Sequence, residues 1–246
     1  MYLSFVLLVF AIVPTVYADP LFTAVPDHAT VVDGGLSRGV AFGDADGDGD
    51  ADLLVANTIN YPEFLYRNDG EQFAQVMETA PSLAGGFTEG VNWVDFDNDG
   101  DLDIFAVRTN GANNLYRNDG DWSFAEVEMG DLTADRSASS MACWADIDSN
   151  GWLDVFVVNR RGENDALYRS LDGQSFERIV SDVAGRAGGD GRSCLLADFD
   201  GDGDPDIYVG NFVDTSTSPP TKQRNYLYLN QGDFEFTEQT QGHAVE

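Results

Sequence analysis

The chain has 246 residues, 43% of them hydrophobic, which is enough apolar material for a sizeable core. Forty-three acidic residues against 13 basic ones give a net charge of −30, and this excludes a nucleic-acid partner, whose binding takes a basic face. Aromatics at 12% and 26 glycines fit an all-β protein with many turns.

Residues 1–18 read as a secretory signal peptide. Leu3 to Val13 is apolar, Pro14 breaks the run, and Val16-Tyr17-Ala18 offers small residues before Asp19. The first residues carry no Lys or Arg, so a retained anchor is the alternative, but the run is short for a span of about 20 residues. The expectation is export, extracellular or periplasmic, with residues 19–246 as the mature chain and no stable membrane insertion. Asp19 to Arg38 is a lead-in that contains Phe22-Thr23-Ala24-Val25.

A nine-residue acidic stretch then occurs four times, at 44–52, 95–103, 146–154 and 198–206, with starts 51, 51 and 52 residues apart. A fixed period of this length indicates a repeat architecture. Positions 1, 3, 5 and 9 carry oxygen side chains. They are Asp44, Asp46, Asp48 and Asp52, then Asp95, Asp97, Asp99 and Asp103. The third copy has Asp146, Asp148, Asn150 and Asp154, and the fourth Asp198, Asp200, Asp202 and Asp206. Gly stands at position 6 throughout, where a sharp turn needs its backbone freedom. Position 7 (Asp50, Asp101, Trp152, Asp204) varies, as expected of a residue that contributes its carbonyl.

Four hard oxygens and a carbonyl suit Ca²⁺, which takes six to eight oxygen ligands. Mg²⁺ prefers strict octahedral geometry and its own water, and zinc would call for His or Cys. The bland alternative is a set of solvated acidic turns. An EF-hand is ruled out, because position 12 is Val55, Ala106, Val157 and Val209 rather than Glu, and the segment after each loop is strand-like. Up to four structural Ca²⁺ are therefore expected. Four would bring the net charge from −30 to −22. Loop 3, with Asn150 in place of a carboxylate, should hold its ion most weakly.

Each repeat carries four short apolar segments. In the first they are Gly39–Phe42, Leu53–Ala56, Phe64–Arg67 and Phe73–Val76, with Asn68-Asp69-Gly70 as the hairpin signal between the last two. Repeat two carries Leu115-Tyr116-Arg117 and Phe124–Val127, repeat three Leu167-Tyr168-Arg169 and Phe176, and repeat four Leu227-Tyr228-Leu229 and Phe236. Four antiparallel strands per unit of about 50 residues make a β-propeller blade. The recurring Tyr66, Tyr116, Tyr168 and Tyr228 read as packing between blades rather than as a ligand platform.

The loops, with Phe42-Gly43 before the first and Leu196-Ala197 before the fourth, resemble FG-GAP/VCBS repeats. The Gly39–Asp44 start and the Leu65-Tyr66-Arg67-Asn68-Asp69-Gly70 segment are most similar to the cartilage acidic protein and ASPIC/UnbV group, and more distantly to integrin α-subunit propellers. The resemblance implies calcium-stabilised propellers, commonly of seven blades, that bind protein or carbohydrate through loops away from calcium. This chain has four repeats. Phe22–Val25 matches a fourth-strand segment and is surplus to four blades, which suggests an incomplete propeller or open arc.

On the face opposite the calcium loops, repeat four has a Pro/Ser/Thr-rich insertion over 214–224. Arg136, Arg160, Arg161, Arg186, Arg192, Lys222 and Arg224 also fall in connections of that face, a local basic patch for an anionic glycan or an acidic protein loop. Export permits a disulfide, but Cys143 lies three residues before its loop and Cys194 four, an offset that reads as opposite strand faces and favours two buried thiols over the bridge. With histidines only at 28 and 243, no Ser-His or Cys-His arrangement is visible and no enzyme is expected. The reading is a secreted protein-interaction or adhesion module, with a carbohydrate-binding propeller, or the non-catalytic part of a polysaccharide-degrading protein, as the alternative.

Overall fold

The computed structural model describes residues 29–32, 34–70, 72–83, 85–180, 189–214 and 218–240. The expected signal peptide, the Phe22–Val25 segment and the tail from Gln241 lie outside these residues, as do residues 215–217 of the insertion.

Four sheets succeed one another, each with four antiparallel strands whose spatial order is their chain order. Sheet 1 comprises Ser37–Gly43, Asp52–Asn57, Phe64–Asn68 and Phe73–Val76. Sheet 2 comprises Thr88–Val94, Asp103–Arg108, Asn114–Asn118 and Phe124–Val127. Sheet 3 comprises Ser139–Ala145, Asp154–Asn159, Ala166–Leu171 and Ser175–Ile179. Sheet 4 comprises Gly191–Ala197, Asp206–Asn211, Tyr226–Asn230 and Phe236–Glu238. In every sheet the acidic loop closes the first hairpin, and the aspartate at loop position 9 is the first paired residue of the second strand.

The second strands of sheets 2 and 3 are apolar in an unbroken run because a neighbouring sheet covers each of their faces. Leu54, Ala56 and Leu65 of sheet 1 pack on Val91, Tyr116 and Phe124 of sheet 2. Phe105 and Leu115 of sheet 2 pack on Val155, Tyr168 and Phe176 of sheet 3. Phe156 and Leu167 of sheet 3 pack on Ile207, Tyr228 and Phe234 of sheet 4. The core is thus a series of layers between neighbouring sheets, and first strands lie against first strands along the row. Tyr116, Tyr168 and Tyr228, each 2% exposed or less, lie in the layers between sheets, which is the packing role read from their recurrence, whereas the equally buried Tyr66 sits on the outer face of sheet 1 with Leu53, Val55 and Ala29. The row is open, since the outer faces of sheets 1 and 4 have no neighbouring sheet among the described residues.

The cysteines correct the expectation of two thiols: Cys143 and Cys194 form a disulfide, with Cα atoms 6.0 Å apart. The one-residue offset is real, since Cys143 pairs with Phe156 and Cys194 with Val209, one step out of equivalence. Opposite faces of equivalent strands are, however, the faces that meet when two sheets stack in a row. The offset therefore favours the bridge.

No helix among the described residues is long and apolar enough to cross a membrane. In sheets 2, 3 and 4 the residue before the third strand caps the end of the second. Asn113 Oδ1 accepts the Arg108 N–H at 2.9 Å, and Asn225 Oδ1 accepts that of Asn211 at 2.9 Å. In sheet 3 Asp165 takes this place, 2.8 Å from the Asn159 N–H, and burial pushes its carboxyl up to about 7.

Two outcomes are expected. Replacing both cysteines by serine removes a cross-link spanning 51 residues and should lower stability by about 2–4 kcal/mol in denaturant titration. Because the folded state holds the Asp165 proton more tightly than the unfolded state, its contribution is full below the ordinary value of 3.8 and is lost as pH rises to about 7. Asp165→Asn should therefore stabilise the protein by on the order of 1–2 kcal/mol at about pH 8 and hardly at all near pH 4, with equal melting curves at the two pH values counting against this cause.

Candidate metal centre

Each loop is held in shape by its own aspartates. Position 1 accepts the N–H of the position-6 glycine: Asp44 from Gly49 at 3.0 Å, Asp95 from Gly100 at 3.1 Å, Asp146 from Gly151 at 2.8 Å and Asp198 from Gly203 at 3.0 Å. Those glycines have φ of 94°, 96°, 90° and 102°, the left-handed region the turn requires. Position 5 accepts the N–H of position 7, in Asp48–Asp50, Asp99–Asp101, Asn150–Trp152 and Asp202–Asp204, at 2.8–3.0 Å.

The position-9 aspartates Asp52, Asp103, Asp154 and Asp206 are fully buried. One oxygen of each accepts the N–H of loop position 2 (Ala45, Phe96, Ile147, Phe199) at 2.7–3.1 Å. The other accepts an N–H from the third strand (Asn68, Asn118, Ser170, Asn230) at 2.8 Å. This carboxylate braces the loop against the sheet. Burial is the main cause that pushes Asp103 up to about 7 and Asp154 to about 6, against the pull of those N–H groups, and it raises Asp52 as well.

Side chains then converge. Carboxylate oxygens of Asp44, Asp46 and Asp48 lie within 4.8 Å of one another, as do those of Asp95, Asp97 and Asp99. In the later loops position 9 joins the group: Asp146, Asp148 and Asp154, and Asp198, Asp200 and Asp206. Each group could hold a metal ion. The fit is supported by Asp44 Oδ1, Asp95 Oδ1, Asp97 Oδ1 and Asp148 Oδ1, which are buried without a hydrogen-bond partner in the protein. A buried carboxylate oxygen left this way is costly unless a cation meets it. Burial and the adjoining Asp99 charge also raise Asp97, a penalty that a positive ion would offset.

Several contacts were not legible as site features. Arg169 reaches into loop 3, with Nη2 2.6 Å from Asp148 Oδ2. Its counterparts Arg67 and Arg117 instead pair with Asp69 and Asp119 at 2.7 and 2.8 Å. The reason lies in the turn, where Leu171 stands in the place of those aspartates and leaves Arg169 to find another acid. Trp122 Nε1 donates to Asp46 Oδ2 at 3.1 Å, from sheet 2 to loop 1. The turn asparagines are latches between sheets: Asn118 Nδ2 donates to Ala45 O at 3.0 Å, and Asn230 Nδ2 to Ile147 O at 3.2 Å.

Three of the basic residues expected on the opposite face are paired with acids. Arg160 bridges Glu89 at 3.1 Å and Asp190 at 3.5 Å, Arg192 pairs with Asp190 at 2.8 Å, and Arg224 pairs with Glu238. Arg186 lies outside the described residues.

The chain is similar to cartilage acidic protein 1 of Mus musculus and of Homo sapiens, 26% identical to each over 71% of this chain. It spans 28% of the length of those relatives. In fold it is similar to a lectin from Agrocybe aegerita that recognises non-reducing terminal N-acetylglucosamine, with a TM-score of 0.53 at 20% identity, covering 81% of this chain and 51% of the lectin. A family model of the FG-GAP-like repeat matches residues 44–106, 95–157 and 146–209, each match running from one acidic loop into the second strand after the next. The chain belongs to the FG-GAP-like repeat family.

Proposed function

We propose that this is an exported, non-catalytic binding propeller whose four acidic loops take structural Ca²⁺ and whose loops on the other rim engage a protein. The observation that carries the reading is the recurrence of a group of three converging carboxylates in all four acidic loops, with buried unpartnered oxygens in the first three. All-oxygen groups of this kind favour Ca²⁺ over zinc, and over Mg²⁺, which keeps its own water and prefers strict octahedral geometry. The ion pins the first hairpin of each sheet and cancels carboxylate repulsion, leaving the opposite rim free to vary. The disulfide accords with an oxidising compartment.

A second reading is carbohydrate binding, favoured by one cleft. Between the outer strands of sheets 1 and 2 lies a cavity of about 400 Å³ lined by Met77, Glu78, Asp121, Trp122 and Ser123. An indole beside carboxylates suits a sugar, with a ring face for C–H groups and acceptors for hydroxyls. The fold likeness to a lectin adds to it.

Calcium should raise the melting temperature and EDTA should lower it, an unchanged melt in EDTA overturning the structural role. By calorimetric titration the weakest site should be loop 3, and either Asn150→Asp or Arg169→Gln should tighten it, since the first adds a ligand charge and the second removes a competing cation. A glycan array in calcium and again in EDTA separates the two partner readings. Calcium-dependent binding lost in Trp122→Ala would establish the cleft as a sugar site, and silence in both buffers from a folded chain would favour the protein partner.

A further inference from the structure

The turn between the third and fourth strands has the same form in sheets 2 and 4. It runs Gly120-Asp121-Trp122 in one and Gly232-Asp233-Phe234 in the other. Both acid–aromatic pairs are left-handed, with φ of 49° and 60° in sheet 2 and of 50° and 60° in sheet 4. This backbone lays the aromatic ring against the preceding sheet. Phe234 is buried in the layer with Ile147, and Trp122 is half-buried against the layer between sheets 1 and 2. The two rings differ in what they offer at the edge. Phe234 has no N–H, and Arg169 lies over its face at 5.6 Å. Trp122 carries its Nε1–H to Asp46 Oδ2 at 3.1 Å, across the boundary into loop 1.

That contact gives one side chain two memberships. Asp46 is position 3 of loop 1, and its carboxylate converges with those of Asp44 and Asp48 to within 4.8 Å. Trp122 also lines the cleft between the outer strands of sheets 1 and 2, with Met77, Glu78 and Asp121. Three carboxylates this close repel one another unless a cation draws them together. An ion in loop 1 therefore fixes Asp46, and a fixed carboxylate fixes the indole that donates to it. Without the ion the acceptor is loose, and so is that part of the cleft wall.

We infer that the ion in loop 1 controls the cleft, with Trp122 as the positioning residue between them. This rests on the calcium and sugar readings above, and it gives one of the four loops a regulatory part beside its structural one. Loaded, loop 1 holds the indole in place as a platform for a sugar. Empty, it releases the ring. The coupling is reciprocal, so a sugar packed on the indole tightens the ion in loop 1 by the same factor by which the ion tightens the sugar. Loop 3 is met differently at position 3, where Arg169 of its own sheet reaches Asp148.

The chain has four tryptophans, and labelling with 5-fluorotryptophan makes each a separate fluorine resonance. Trp122→Phe identifies the resonance of residue 122. On titration with Ca²⁺ alone this resonance should shift and sharpen. In the double variant Asp44→Asn with Asp48→Asn, which keeps Asp46 but removes two charges from loop 1, it should stay where it is in the calcium-free chain. Calorimetry of Trp122→Phe should show one Ca²⁺ site weakened about tenfold and the others as in the unmodified chain, a selectivity that loss of ring packing alone would not produce. A resonance that ignores Ca²⁺, or one that responds equally in the double variant, overturns the inference. So does an unaltered calcium isotherm in Trp122→Phe. On a glycan array in calcium, binding lost in the double variant supports the control, and binding retained there overturns it while keeping the sugar site. An array on which the unmodified chain is silent removes the sugar reading only, because the resonance decides the link between ion and indole with no sugar present.

Discussion

The structure depends on a buried carboxylate that belongs to two elements at once. Asp52, Asp103, Asp154 and Asp206 each take one N–H from the acidic loop and another from the third strand, with no exposure to water. Such a group is costly to bury, and its hydrogen bonds are what make the burial tolerable. Through it the loop geometry is fixed relative to the sheet rather than left to the turn. The carboxylates of positions 1 and 3 are then gathered in all four loops, joined by position 5 in the first two and by the buried aspartate itself in the last two.

Layering does the rest. Each sheet is apolar on both faces and gains its stability only from neighbours, so the interfaces hold the chain together. Polar ties accompany each apolar layer and differ in kind. Asn118 latches sheet 2 to sheet 1, and Asn230 latches sheet 4 to sheet 3. Ser170 cannot make this reach in sheet 3, and there Asn98 Nδ2 joins the second loop to the third through Gly151 O at 2.8 Å. The substitution that removed one tie sits beside another.

Much of this is readable in the chain. The acidic repeats set the period, the Val, Ile and aromatic runs mark the strands, and recurring tyrosines mark the layers, because all three are local patterns governed by backbone geometry. The features that escape are relational. The parity of Cys143 and Cys194 is plain in the sequence but misleads when applied to a single sheet, since the two residues sit on surfaces that confront each other. The reach of Arg169 depends on a leucine two residues away, and the neutralised arginines of the far rim on acids contributed by adjacent sheets, as with Arg160 between Glu89 and Asp190. Charge counted along a sequence does not reveal which partner a fold will deliver.

A row in which every unit meets only its neighbours is free to change in length. Duplicating or deleting one 51-residue unit leaves each remaining interface of the same kind as before, so lineages built this way can vary their repeat number with little redesign. The bridge between Cys143 and Cys194 limits that freedom. Its two halves sit at non-equivalent positions in adjacent units, so a copy inserted between them would leave two thiols one sheet too far apart to pair. In this chain the third and fourth units are bound as a heritable pair, while the first two carry no covalent restriction on their number or order.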